Sequence, residues 1–440
     1  MKISRIFKRD ISIGNVYLPI LFLSVVNLLA QVLSNYLLGH FMQPEGYGAW
    51  RKLLLYSSFS GVIHLGYLDG QYLNWLKKGK ELFSFSNFTY CAGFLFLTHF
   101  LAFWVLILLI KSNSVTTLII VQCYLNSIIF YFQIYFLKEQ RFVFSSLLLV
   151  LIQVVFVLLI FILKDFISSF QIVAYINFSV YILAILMIFL VLLSNKTIIV
   201  NNISLASFKS SIKGNISYGF FVLLSGLILL LFQNADKIIV SNFYSLHTFG
   251  YYSYASVFIN IFIGLATSMT NILLSKIFLS SSYENNKLLE KSYKLIIGLC
   301  FVFPIVIPFL EKPITLLMPG YARSYQFIYP LLVGLAPTLL INLILFNLYK
   351  KYTFQKSYFI ISAVLVLLQF LILYLSILNH LNLKFFAFIP GIFYFILLMC
   401  LDIFLSNKFN HYLKGLPGRL ILSGSLLAFN FAFYFFIYAK

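Results

Sequence analysis

Three basic side chains stand where a charge is most expensive. Arg51, Lys52 and Lys237 fall inside or at the ends of long apolar segments, and an ionisable residue in such a place marks a substrate or ion path. A guanidinium fork and ammonium point charges match phosphate oxygens, so the three predict a site for a phosphorylated anion at one end of a cavity. The competing use is snorkelling, in which the stems lie in lipid and the charges reach the headgroups. Asp69 and Asp236 are the acids read as lying well within apolar segments. Each either carries a coupling proton or neutralises a nearby cation. On one continuous helix Arg51 and Asp69 would share a face about 27 Å apart, too far to pair.

Polar amides and hydroxyls come in stripes. Ser24, Asn27, Gln31, Ser34 and Asn35 recur at three- and four-residue steps, as do Ser253, Ser256, Asn260, Gly264, Thr267 and Asn271. A weaker stripe joins Gln122, Asn126 and Gln133. Each set lies on one helical face. Two uses compete: hydrogen bonding between helices, or the wall of a wet cavity. His64 and His99 lie near the middle of apolar segments, as packing residues or as a protonation switch. Cys91, Cys123, Cys300 and Cys400 show no CxxC or metal spacing and read as small core hydrophobes. No HExxH, P-loop, GxSxG or GxGxxG motif occurs in a plausible context. The chain is therefore expected to be no enzyme, to hold no cofactor or metal, and to hydrolyse no ATP.

The elements that must position these groups follow from composition. Of 440 residues, 62% are hydrophobic and 10% charged, against about a quarter charged in soluble domains. Too few charges remain to cover a water-facing surface, so the chain is an integral membrane protein. Continuous apolarity indicates helices, because barrel strands would alternate at period two. A bilayer core of about 30 Å needs about 20 residues. Thirteen segments qualify: 15–38, 48–76, 82–110, 114–137, 142–163, 170–193, 215–242, 250–279, 288–310, 325–349, 358–380, 383–405 and 418–438. The basic start MKISRIFKRD precedes a run too long for a signal-peptide core, so the first helix is expected to be retained.

The net charge of +20 is dispersed between the apolar segments, which argues against nucleic acid as partner. With the N-terminus cytoplasmic, basic residues gather in every inner loop, Lys408, Lys414 and Arg419 among them. The other loops and the C-terminus hold only Lys111, Lys164, Lys312, Arg323, Lys384 and Lys440. That is the positive-inside pattern.

The longest polar stretch, 194–214, reads as a cytoplasmic linker between residues 1–193 and 215–405, with one additional helix in 406–440. A faint repeat at an offset of 202 supports two related units: Leu37-Leu38 with Ile239-Val240, Phe41 with Phe243, Tyr47 with Phe249, Gly48 with Gly250, Trp50 with Tyr252, and Gln31 with Gln233. Six spans per unit makes the repeats parallel, and two-lobed transporters hold substrate between the lobes. The fold expected is all-α, with 12–13 transmembrane helices in two parallel six-helix lobes around a central cavity.

The stretch LLGHFMQPEGYGAW, followed by SSFSGVIHLGYLDGQ, resembles the opening of the polysaccharide (O-antigen type) flippases of the multidrug/oligosaccharidyl-lipid/polysaccharide exporter superfamily. Pro44, Tyr47, Gly48, Leu68, Asp69 and Gly70 match the family's pattern. In QNADKIIVSNFYSLHTFGYYSYA, Asp236, Lys237, Gly250 and Tyr252 match its counterpart in the second half. The resemblance covers about the first 350 residues; thirteen spans depart from the twelve or fourteen usual in the family. It implies a bacterial inner-membrane protein that flips an undecaprenyl-diphosphate-linked oligosaccharide, an O-antigen or capsule repeat unit of lipopolysaccharide-type assembly, by alternating access. It also implies proton or sodium coupling and company with other glycan-assembly membrane proteins. On that reading Arg51, Lys52 and Lys237 attract the diphosphate, Asn27, Gln31, Asn35, Gln233, Asn260, Thr267 and Asn271 receive the glycan, and the lipid tail stays in the bilayer. A cation-coupled drug or small-solute exporter of the same superfamily, and a membrane glycan polymerase or transferase, are the rival readings. The short outer loops weigh against the last.

Overall fold

The computed structural model describes residues 13–78, 83–110, 114–139, 141–194, 198–199, 205–409, 412 and 415–438. The order is α1 (Ile13–Phe41), α2 (Pro44–Ser57), α3 (Ser60–Ile63), α4 (Tyr67–Lys78), α5 (Phe85–Ile110), α6 (Ser114–Lys138), α7 (Phe142–Ile162), α8 (Phe170–Ser194), α9 (Leu205–Phe243), α10 (Leu246–Leu279) and α11 (Ser282–Leu317). After a 3-10 turn, Pro319–Ser324, come α12 (Tyr325–Leu332), α13 (Leu335–Leu340), α14 (Phe346–Lys351), α15 (Gln355–Leu378), α16 (Leu383–Phe386), α17 (Ile389–Lys408) and α18 (Leu416–Tyr438). Two two-residue strands, β1 (Phe83–Ser84) and β2 (Ile198–Ile199), pair in parallel. The class is all-helical, as expected.

Among the described residues, nine helices are long and apolar enough to cross a membrane, or ten if Pro319–Leu332 and Leu335–Lys351, bent by 57°, make one span. These ten coincide with ten of the thirteen expected segments. Segments 250–279 and 288–310 lie on α10 and α11, which at 34 and 36 residues are long enough; part of their side chains is outside the described set. Segment 48–76 is the real departure. It is not one helix but α2, α3 and α4, the longest of only 14 residues. The chain turns at Leu65 (φ 51°) and Gly66 (φ 73°), a left-handed pair that no α-helix accommodates. Arg51 and Asp69 therefore sit on separate helices and share no face.

Side chains of α6 satisfy the backbone freed at this break. The Ser57 carbonyl accepts from Asn126 Nδ2 at 3.2 Å; Gln122 Nε2 donates to Asn126 Oδ1 at 2.9 Å, and Asn177 Nδ2 to Gln122 Oε1 at 2.7 Å. Gln122 and Asn126 of the third stripe thus bond helix to helix, and line neither of the two cavities described below. His64, capping α3 and 2% exposed, lies beside the same break. His99 bonds the Leu95 carbonyl at 2.7 Å and contacts Ser127 Oγ at 3.4 Å.

Buried apolar side chains form two clusters. One runs from Ala30 to Phe208 and takes in Tyr254, Met318 and Tyr321; the other holds Leu55 and residues from Phe232 to Tyr434. Of the expected linker 194–214, residues 205–214 are the first turns of α9.

Two backbone-to-backbone seams join α2 and α4 to the second half of the chain. Where α2 meets α10, a Cβ on Gly48 would overlap the Leu246 carbonyl oxygen and one on Gly250 the Pro44 carbonyl oxygen. Where α4 meets α9, a Cβ on Gly70 would overlap the Asn215 carbonyl and one on Gly219 that of Gly66. Only glycine permits such an approach. Asn74 Nδ2 donates to Asn215 Oδ1 at 2.5 Å across the second seam. The two pieces of the broken segment thus close opposite ends of one interface.

Two further expectations need correction. Arg419 is no loop cation: it is 2% exposed. Its Nε donates to Asp402 Oδ2 at 2.8 Å and its Nη2 to Asp402 Oδ1 at 2.9 Å. Asp402, wholly buried on α17, joins Asp69 and Asp236 as an acid within an apolar segment.

Candidate substrate cavity along α1, α2, α9 and α10

Polar faces of α1, α9 and α10 and the start of α2 converge between the two seams on a pair of cavities. The larger, about 590 Å³ with its opening to solvent included, is lined by Gln233, Asn234, Asp236 and Lys237 of α9, Ser256 and Asn260 of α10, Thr338 of α13 and Tyr394 of α17, among others. The smaller, about 310 Å³, is lined by Gln31 and Asn35 of α1, Arg51 of α2 and Asn260 of α10. Asn260 belongs to both, so the two adjoin through one side chain.

Helical spacing explains the lining. Gln31 and Asn35 are four apart, as are Gln233 and Lys237, Ser256 and Asn260, so each pair stacks on one face. Arg51 is half-buried, with Nη1 3.5 Å from Asn35 Oδ1. Asn35 is held twice more: its Oδ1 accepts from the Tyr47 hydroxyl at 2.8 Å, and its Nδ2 donates to the Gln31 carbonyl at 2.7 Å. Lys237 Nζ donates to Asn234 Oδ1 at 3.1 Å and lies within electrostatic reach of both Asp236 and Arg51. Asp236, 3% exposed, accepts the Tyr252 hydroxyl at 2.6 Å. Two cations and one acid thus face adjoining cavities, an arrangement with room for an added negative charge.

Not every expected site residue is here. Lys52 lines neither cavity. Its Nζ donates to the Ser241 carbonyl at 2.8 Å and reaches Asn242 Oδ1 at 3.5 Å, near the C-terminal end of α9, where a helix presents unsatisfied carbonyls. Asp69, half-buried in the first turn of α4, lines neither, and nor does Asn27. The side chains of Thr267 and Asn271 lie outside the described residues. Gln31, Asn35, Arg51, Gln233, Asp236, Lys237 and Asn260 are brought together. The sequence reading missed Asn234, Thr338 and Tyr394. Asn234 stands beside Asp236 and Lys237 and was open to notice; Thr338 and Tyr394 come from distant helices with no motif around them.

No family model and no curated protein matches the sequence. Among solved structures the chain is similar to the lipid II flippase MurJ in an inward closed conformation, with a TM-score of 0.64 and 14% identity over 96% of this chain and 99% of that one. It is also similar to the MATE transporter VcmN of Vibrio cholerae, with a TM-score of 0.55 and 12% identity over 91% and 97% of the two chains. At such identities the likeness shows the fold alone, an all-helical one that this chain shares with those two membrane proteins.

Proposed function

We propose that this chain is a flippase of the multidrug/oligosaccharidyl-lipid/polysaccharide exporter superfamily, moving an anionic lipid-linked oligosaccharide across a bacterial inner membrane. The observation that carries the reading is the pair Arg51 and Lys237. They come from opposite halves of the chain, face adjoining cavities, and are bonded to amides rather than matched by a carboxylate partner at ion-pair distance among the described residues. A diphosphate supplies the missing negative charge. Gln31, Asn35, Gln233 and Asn260 offer amide donors and acceptors to sugar hydroxyls, and the polyprenyl tail remains in lipid.

Both seams are closed in this structure. Transport on this reading requires the two seams to part in turn, exposing the site first to one face and then to the other. Residues 1–193 and 215–405 are the two lobes. The N-terminus is cytoplasmic: with Arg419 removed from the loops, Lys408 and Lys414 still leave that loop basic, so the charge bias survives. Asp236, beside Lys237 in the larger cavity, is the group to couple a proton or sodium ion to the cycle.

The test is flipping of a fluorescent polyprenyl-diphosphate-linked sugar in proteoliposomes. Arg51→Gln and Lys237→Gln should each abolish it in folded protein, and Lys52→Gln should leave it within about twofold. Full flipping by Arg51→Gln would sink the proposal. The MATE likeness supports a second reading, a cation-coupled drug exporter; deletion would then cause drug sensitivity without loss of surface glycan.

A further inference from the structure

The connection between α11 and α12 contains the 3-10 turn Pro319–Ser324, whose Tyr321 is 1% exposed. Its ring centroid lies 5.6 Å from that of Tyr47 (interplanar 83°), 4.7 Å from Tyr254 and 6.2 Å from Tyr251. Its hydroxyl donates to the Met42 carbonyl at 3.0 Å, in the turn between α1 and α2. Met318 lies so close to Gly39 of α1 that an added Cβ there would strike its terminal methyl. A turn from the second half of the chain thus drives two side chains into the end of α1. It crosses the interface at the same end as the Gly48 and Gly250 seam.

From Tyr321 a line of contacts leads inward. The Tyr47 ring, wholly buried, meets Tyr321 and Tyr254 edge to face, which fixes the direction of its hydroxyl. That hydroxyl donates to Asn35 Oδ1, the oxygen that faces Arg51 Nη1. Tyr47 cannot swing without displacing Tyr321.

We propose that the Pro319–Ser324 turn is a bolt across this end of the interface, and that Tyr321 and Tyr47 are positioning residues that set Arg51 in place. The proposal rests on the reading of Arg51 as the anion-binding cation. When the bolt withdraws, Tyr47 loses its wall, Asn35 loses its fixed acceptor geometry, and Arg51 is released. Opening of that end and loosening of the anion then become one event, so a bound headgroup is let go on the side to which the site opens.

The experiment reads Arg51 directly and needs no substrate: phenylglyoxal modification of detergent-purified protein, with the rate at Arg51 followed by mass spectrometry. Tyr321→Phe keeps the ring and removes the bond to Met42, and should raise the rate about fivefold, the worth of one ordinary hydrogen bond. Tyr47→Phe should do the same, and the double variant should be no faster than the faster single one, because the two act in series. An unchanged rate in Tyr321→Phe, or single effects that multiply to about 25-fold in the double, overturns the proposal. Should Tyr321→Phe fail to fold, Met318→Ala withdraws the other side chain of the bolt, and the same rise or its absence decides. Failure of the flippase reading shows instead as flipping that survives Arg51→Gln.

Discussion

Replacing Arg419 by alanine tests the buried chemistry of this chain most sharply. Arg419 and Asp402 are 2% and 0% exposed and joined by two hydrogen bonds at 2.8 and 2.9 Å. Arg419 also donates to Ser406 Oγ at 3.1 Å and to the Tyr412 carbonyl at 2.9 Å, and lies over the Tyr293 ring. Removal leaves the Asp402 carboxyl buried with the Tyr293 hydroxyl, 3.0 Å away, as its one remaining side-chain partner among the described residues. Stranding one member of a buried pair costs about 3–5 kcal/mol. With an unfolding entropy of about 2.1 cal/mol/K per residue, a chain of this length loses about 1 kcal/mol per degree. The melting temperature should therefore fall by about 3–5 °C, and by more if the denatured state keeps its helices and the entropy is smaller. Asp402→Leu with Arg419→Met removes both charges and should recover most of the loss, since paired buried ions are often replaceable by apolar side chains. Fluorescence-detected size-exclusion melts of the two variants in detergent measure this. A single variant that melts like the parent, or a double variant as unstable as the single one, refutes the reasoning.

Gly48→Ala should force α2 and α10 apart, since its methyl has no room against the Leu246 carbonyl. Thiol labelling of a Val257→Cys reporter in the smaller cavity should rise well above that in a Gly93→Ala control, where an added Cβ meets nothing; equal labelling would contradict the seam. Ser281 and Glu284 form a capping box at the start of α11: the Ser281 amide donates to Glu284 Oε2 at 2.7 Å, and the Glu284 amide to Ser281 Oγ at 3.3 Å. Those bonds hold the Glu284 carboxyl below its usual range, so its stabilising effect is complete above the unfolded-state value and is lost as pH falls through the folded one. Amide exchange over 282–288, corrected for intrinsic rate, should accelerate in that acid window, and Glu284→Ala should remove the dependence; an unchanged acid response in that variant would exclude the box as its source.

Hydropathy made the helical class legible, because nothing but lipid explains a chain so poor in charge. It misjudged segment 48–76 because a window average runs across Gly61, His64 and Gly66, the residues that announce a break. Lys52 was separable from Arg51 on geometry alone: adjacent helical residues point about 100° apart, so the two could not both face one seam. Arg419 was assigned to a loop by its neighbours Lys414, Gly415 and Pro417, and no periodicity reveals that it pairs with Asp402 across a turn. The offset of 202 brings Gly48 and Gly250 into register in the sequence itself, although their meeting with Leu246 and Pro44 is a fact of packing.

Gly48 approaches Leu246 and Gly250 approaches Pro44, and Pro44 and Leu246 are themselves 202 apart, so each side does to the other what is done to it. Such reciprocity is what two copies of one chain make when they meet about a twofold axis. In the same register the side chains differ: Asp236 falls at the place of Ser34, Lys237 at that of Asn35, and Phe249 at that of Tyr47, without its hydroxyl. The backbone contact is even-handed while the ionisable groups are not: Arg51 stands where the second half has Ser253, and Lys237 where the first half has Asn35.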